Sequence, residues 1–130
     1  MTTETYHWHE SARNIRLNGW TVWADLQLRD GSWKERSLDL DEYLGNDNGN
    51  FKWNGRNISD SAKDPILVFW EGYPIIRASL QDTNGNYHQK DYNLSDEIGN
   101  FNGKFHVKGR GVPPGVAFGS VGIDIFSGMG

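Results

Sequence analysis

The chain is written twice, and this duplication constrains the fold more than any single motif in it. Residues 24–53 align without a gap on residues 78–107. In that alignment Leu26 meets Leu80, Gln27 meets Gln81, Gly31 meets Gly85, Trp33 meets Tyr87 and Leu40 meets Leu94. Gly45 and Asn46 meet Gly99 and Asn100, while Gly49 and Phe51 meet Gly103 and Phe105. Upstream, residues 8–13 lie over residues 58–63, and the second copy carries a four-residue insertion near residues 69–74. Self-similarity of this kind marks a repeated supersecondary unit, and a unit of about fifty residues rarely buries a sufficient core alone. The copies, about 6–56 and about 57–107, are therefore expected to share one core within a single domain, 1–108. Residues 109–130 fall outside the repeat. Their Gly- and Pro-rich start, Gly109-Arg110-Gly111-Val112-Pro113-Pro114-Gly115, reads as a flexible tail or linker.

Hydrophobic patterning makes each copy β-rich. Residues 14–17 alternate polar with apolar, and residues 21–28 alternate again through Val22, Ala24, Leu26 and Leu28, as a half-buried strand does. Asp30-Gly31 and Asn84-Gly85 are tight-hairpin signals, because such turns need positive φ where glycine is unstrained. Asn48-Gly49 and Asn102-Gly103 add one more hairpin to each copy. Four hairpins in step with the duplication predict an all-β fold of mainly antiparallel sheet. Residues 41–44 and 95–98 begin with good N-cap residues and are expected to form single helical turns, as are residues 11–13 and 61–63.

Composition narrows the function. The 13 Lys plus Arg stand against 17 Asp plus Glu, with no basic stripe, which argues against a phosphate-tracking nucleic-acid partner. With no Cys there is neither a disulfide framework nor a thiolate metal site, so stability comes from packing. No stretch reaches membrane-spanning length, so no membrane insertion is expected. The first residues lack the basic-then-apolar run of a secretion signal. As given the chain reads as cytoplasmic, or extracellular if a leader was removed. Six Trp, six Phe and five Tyr exceed what a bland scaffold needs, although most rings in a small β core are structural.

Spaced motifs carry a resemblance. Asn14-Ile15-Arg16-Leu17, Asp30-Gly31-Ser32-Trp33, Ser37-Leu38-Asp39-Leu40-Asp41 and the run 45–53 are echoed by Asn84-Gly85-Asn86-Tyr87, Tyr92-Asn93-Leu94-Ser95 and the run 99–105. Over roughly residues 6–107 this pattern resembles the cyanovirin-N homology (CVNH) domain. The resemblance implies one pseudo-symmetric domain of two tandem repeats that exchange strands, each with a three-stranded sheet plus a hairpin. It also implies a lectin, not an enzyme, without a cofactor, binding mannose-rich glycans (terminal α1,2-linked mannose) at two sites near opposite ends. Carried over position by position, one site combines His7, Glu10, Ser11, Gln27 and Arg29 with Asn100 and Asn102. The other combines Asn46, Asp47, Asn48, Arg56, Asn57, Asp60, Ser61, Gln81, Asp82 and Thr83. Where the founding member of the family has paired cysteines, this chain has Ala12 with Leu26 and Ala62 with Leu80. A small residue facing a large one fills the same volume. Arg29, Gly45 and Asp82 also depart from that member's pattern.

The proposed clusters suit a sugar. Vicinal hydroxyls both donate and accept, so their site needs amides, carboxylates and backbone groups held on rigid turns. Asn, Asp and Gly are equally what turns demand for their own sake. Two sites on one body raise avidity when glycans are densely presented. The alternative is a protein-interaction or structural module of the same fold with sugar binding lost. Other chemistry fares worse. His7 and His9 have no evident third metal ligand, and the run 46–49 lacks the first ligand and terminal Glu of a calcium loop. Asp39, Asp41, Glu42 and Asp47 would need a cleft to act as glycosidase carboxylates, and so small a fold offers little. The short Asn54-Gly55 link between copies admits either a monomer or a domain-swapped dimer.

Overall fold

The computed structural model describes residues 7–107; the expected tail at 109–130 lies outside the described residues. Each copy contributes an antiparallel meander and a hairpin. In the first, β1 (Ala12–Asn18), β2 (Thr21–Gln27) and β3 (Trp33–Asp39) form a three-stranded sheet, followed by the hairpin β4 (Leu44–Asp47) and β5 (Asn50–Trp53). The second repeats this with β6 (Ala62–Trp70), β7 (Tyr73–Gln81) and β8 (Tyr87–Asn93), then the hairpin β9 (Ile98–Phe101) and β10 (Lys104–Val107). The alternation read in residues 21–28 is what β2 does: Val22, Ala24 and Leu26 are buried while their neighbours are half-exposed. All four turn dipeptides sit where expected, with Asn48, Asn102, Gly31, Gly49, Gly85 and Gly103 at positive φ.

The copies complete one another. The amide of Asn46 on β4 reaches Ser61 and Gln81 of the second copy, and that of Asn100 on β9 reaches Ser11 and Gln27 of the first. Each hairpin thus docks on the other copy's sheet. One buried cluster results, with Trp8, Val22, Ala24, Leu26, Leu38, Leu40 and Leu44 from one copy meeting Ile58, Ala62, Ile76, Ala78, Leu80, Leu94, Ile98 and Val107 from the other. The expected small-against-large pairs are cross-strand partners, Ala12 with Leu26 and Ala62 with Leu80, and both leucines are fully buried. The link between copies crosses β4 closely. A Cβ on Gly55 would sit 2.7 Å from both the Cα and the N of Gly45, so glycine is required for the backbones to approach.

The short helical turns lie differently from expectation. The first is Leu40–Glu42, a 3₁₀ turn capped by the Asp39 carboxylate accepting from Asp41 N–H, and Leu44 already begins β4. Residues 95–98 form no helix. Asn93 Oδ1 accepts from both the N–H and the hydroxyl of Ser95, and this local closure replaces a helical ladder. The other two turns fall earlier than residues 11–13 and 61–63, at Trp8–Ser11 and Ile58–Asp60. The reason is burial: Trp8 and Ile58 plug the core from these turns, and Ala12 and Ala62 must already be extended to pair with Leu26 and Leu80.

Candidate functional site

Two polar clusters, the candidate clefts, are each assembled from three parts: a 3₁₀ turn, the end of the middle strand of a sheet, and the tip of the hairpin lent by the other copy. In the first cleft Asn100 Nδ2 donates to Ser11 Oγ (2.8 Å) and to Gln27 O (3.0 Å), while its Oδ1 accepts from Gly103 N–H (2.8 Å). Asn102 Oδ1 accepts from the Arg29 amide at 2.9 Å, and the Arg29 guanidinium lies over the Phe101 ring. His7 Nδ1 stands 3.7 Å from the Glu10 carboxylate. Hydrogen bonds thus join Ser11, Gln27 and Asn100 in one group and Arg29 with Asn102 in another, while His7 and Glu10 face one another, although Asn100 and Ser11 are far apart in sequence.

The second cleft repeats the clamp. Asn46 Nδ2 donates to Ser61 Oγ (2.8 Å), Ser61 O (3.2 Å) and Gln81 O (2.8 Å), and its Oδ1 accepts from Gly49 N–H (2.8 Å). Asn48 Oδ1 accepts from the Thr83 amide, as Asn102 does from Arg29. Asn57 sits in the left-handed region before the Ile58–Asp60 turn, and the Arg56 backbone borders Gly45. Asp47, Asn48, Arg56, Asn57, Asp60 and Thr83 are exposed around this frame. Asn46 and Asn100 have spent their amide groups inside the protein, so they are struts; the exposed side chains around them are what a ligand can meet.

The copies differ at the position after the middle strand. In the first cleft this is Leu28, which packs so closely that a Cβ on Gly103 would lie 2.6 Å from its Cδ1. In the second it is Asp82, whose Oδ2 lies 2.7 Å from His88 Nε2 and whose Oδ1 accepts from the amides of Asn84 and Asn86. His88 was not among the residues expected at the site, because its place beside Asp82 depends on the β7–β8 register, Leu80 opposite His88. His9 and Tyr73 were likewise missed. His9 lies in the Trp8–Ser11 turn with its ring 5.0 Å from that of Tyr73. Among the described residues no group of three or more His, Cys, Asp or Glu could hold a metal ion, and no helix is long and apolar enough to cross a membrane. Two of the four carboxylates weighed as catalytic are engaged in structure: Asp39 caps a turn, and Asp41 accepts from the amide and hydroxyl of Ser59.

Charged groups in the first turn and on the second sheet set an acid response. Burial lowers the His9 imidazole pKa from its ordinary 6.5, with Glu10 opposing and His7 reinforcing. His88 hydrogen bonding and the amide of Asn86 hold the Asp82 carboxyl below its ordinary 3.8, and the Arg77 guanidinium does the same for Asp91. For His9 the unfolded chain binds the proton first, so stability falls as pH drops below 6.5 and the loss is complete below the lowered native value. The two aspartates contribute stability that is present above 3.8 and lost as pH falls through their lowered native values. Thermal melts from pH 8 down to pH 3 should show a midpoint that declines in both windows, with His9→Gln flattening only the first. A midpoint that rises on mild acidification contradicts this.

Two repeats, each lending a hairpin to the other's sheet, define a small all-β domain. The family model for the CVNH domain matches residues 8–106, and the chain belongs to that family. It is 40% identical over 103 residues to a cyanovirin-N homolog of Neurospora crassa, covering 76% of this chain and 93% of that protein. Among solved structures, a designed cyanovirin-N homolog lectin, LKAMG, is similar at 39% identity with a TM-score of 0.72, over 78% of this chain and 98% of the other. Microvirin, solved with mannobiose, shares the fold at 20% identity and a TM-score of 0.71, over 78% of this chain and 97% of its own.

Proposed function

We propose that this chain is a non-catalytic lectin that binds mannose-rich glycans, with terminal α1,2-linked mannose as the recognised unit, through both clefts. The observation that carries this reading is the clamp made twice: an Asn amide on a lent hairpin ties Ser and Gln backbone into one rigid wall, at Asn46 and at Asn100. Around each wall stand exposed groups of mixed donor and acceptor character, Glu10, His7 and Arg29 at one end and Asp60, Asn57, Arg56 and Thr83 at the other. Preorganised polar groups of this kind suit vicinal hydroxyls, for which net gains per hydrogen bond are small and geometry decides. The designed relative named as a lectin, at 39% identity, supports the reading. So does microvirin, whose own ligand is mannobiose.

Amide-shift mapping during titration with α1,2-linked mannobiose tests it. Shifts should gather at residues 27–29 and 100–102 and at residues 46–48 and 81–83. Asn57→Ala combined with Asp60→Ala should weaken the second cluster roughly tenfold, equivalent to about 1.4 kcal/mol, and leave the first unchanged. Both side chains are exposed, and although alanine at the positive φ of Asn57 costs about 1 kcal/mol, the fold should persist. A protein that gives no shifts with mannose-containing glycans is an interaction module of this fold instead.

A further inference from the structure

The two copies seat their lent hairpins by different means. At the first cleft the tip glycine, Gly103, rests on the apolar side chain of Leu28, and Arg36 Nε donates to the Gly103 carbonyl at 2.9 Å. Aligned with Leu28 and Lys34 in the second copy are Asp82 and His88. A carboxylate cannot do what a leucine does there, because a covered charge needs partners.

Asp82 finds its partners locally. Its side chain is only 13% exposed, its Oδ1 accepts from the N–H groups of Asn84 and Asn86 at 2.9 Å each, and its Oδ2 lies 2.7 Å from His88 Nε2. An ionised carboxylate only accepts, so Nε2 carries the proton and donates. With both oxygens taken, Asp82 is a strut for the turn at 82–86 rather than a group that a ligand meets. That turn presents Thr83, whose N–H and hydroxyl both donate to Asn48 Oδ1 on the lent tip. His88 reaches the same tip directly. Directly opposed residues of an antiparallel pair stand on one face, and His88 is opposite the fully buried Leu80, on the core side of the sheet. A Cβ on Gly49 would lie 3.2 Å from His88 Cδ2. The imidazole therefore meets both sides of the second cleft, the turn through Asp82 and the hairpin at Gly49.

We propose that His88 is a positioning residue for the second cleft, holding the 82–86 turn and the β4–β5 tip together, so that glycan binding there, and not at the first cleft, depends on its imidazole donor. The glycan part rests on the lectin reading above; the positioning part does not. His88 is 47% exposed, so its replacement leaves the core intact. In the full chain without sugar, His88→Ala should quicken hydrogen exchange at Thr83 N–H roughly tenfold, through easier local opening, and move the amide signals of Asn48 and Gly49. Those of Asn102 and Gly103 should stay in place. With α1,2-linked mannobiose, His88→Ala should weaken the second cleft roughly three- to tenfold, the worth of about one hydrogen bond, and leave the first unchanged. His88→Gln, whose amide can still donate to Asp82, should restore most of the loss. Lys34→Ala, at the aligned position of the first copy, should alter neither cleft. Second-cleft affinity untouched by His88→Ala overturns the proposal while the lectin reading stands, and so does a glutamine variant as weak as the alanine one. A first cleft weakened by Lys34→Ala overturns the asymmetry. A parent chain that gives no shifts with the sugar overturns the lectin reading and the glycan part together, whereas unchanged Thr83 exchange in His88→Ala overturns the positioning itself.

Discussion

Trp8→Ala should destabilise the protein by about 3–5 kcal/mol, the range for truncating a buried aromatic, which is a large part of the 5–15 kcal/mol that holds a typical domain folded. Trp8 is fully buried in the shared cluster. Its ring packs edge-on against Phe105 at 5.2 Å, and its Nε1 donates to the Leu94 carbonyl. Both partners belong to the second copy, so the loss falls on the contact between copies rather than within one. Trp8→Phe keeps most of the volume but leaves Leu94 O without its indole donor, and should cost about 1–3 kcal/mol. Ile58, fully buried at the equivalent position, should cost about 2–5 kcal/mol as Ile58→Ala. Urea unfolding followed by circular dichroism measures all three. If Trp8→Ala costs under about 1 kcal/mol, the first copy does not depend on the second in the way the packing indicates.

Asn46→Ala should cost about 2–4 kcal/mol, because one amide makes three hydrogen bonds across the seam between copies and a fourth within its own hairpin, and its loss orphans half-buried backbone groups. Asn100→Ala should cost a similar amount for the same reason at the other end. Asn46→Asp separates donor from acceptor roles. It keeps the acceptor for Gly49 N–H but aims a carboxylate at the carbonyls of Ser61 and Gln81, and should be at least as damaging as alanine. Alanine variants that melt like the parent would mean that solvent replaces the clamp without cost. Each variant should also blunt ligand response at its own cleft, since the clamp holds the hairpin tip against the middle strand.

Much of this was legible in the chain because it is local or repeated. The four Asn-Gly or Asp-Gly turns needed only positive φ at their glycines, and β2 declared itself by period-two burial of Val22, Ala24 and Leu26. Family resemblance located the clusters around Asn46 and Asn100. The misplaced helical turns show where local reading failed: the polar starts at Ser11 and Ser61 were good caps, but Ala12 and Ala62 were claimed by strand pairing with Leu26 and Leu80. His88, His9 and Tyr73 carried no signal, because their neighbours come from other strands or from the other copy.

Residue order alone was enough to establish the duplication, the turn chemistry and a core too small to be divided, since each rests on spacing, backbone conformation or burial area. Which hairpin closes which sheet, which asparagines are struts, and why the two clefts are unequal depended on three-dimensional packing. Those features arise from contacts such as Asn100 with Ser11 and Tyr73 with His9. Such pairings join segments far apart in the chain, and only the folded backbone brings them within hydrogen-bond or ring-contact distance.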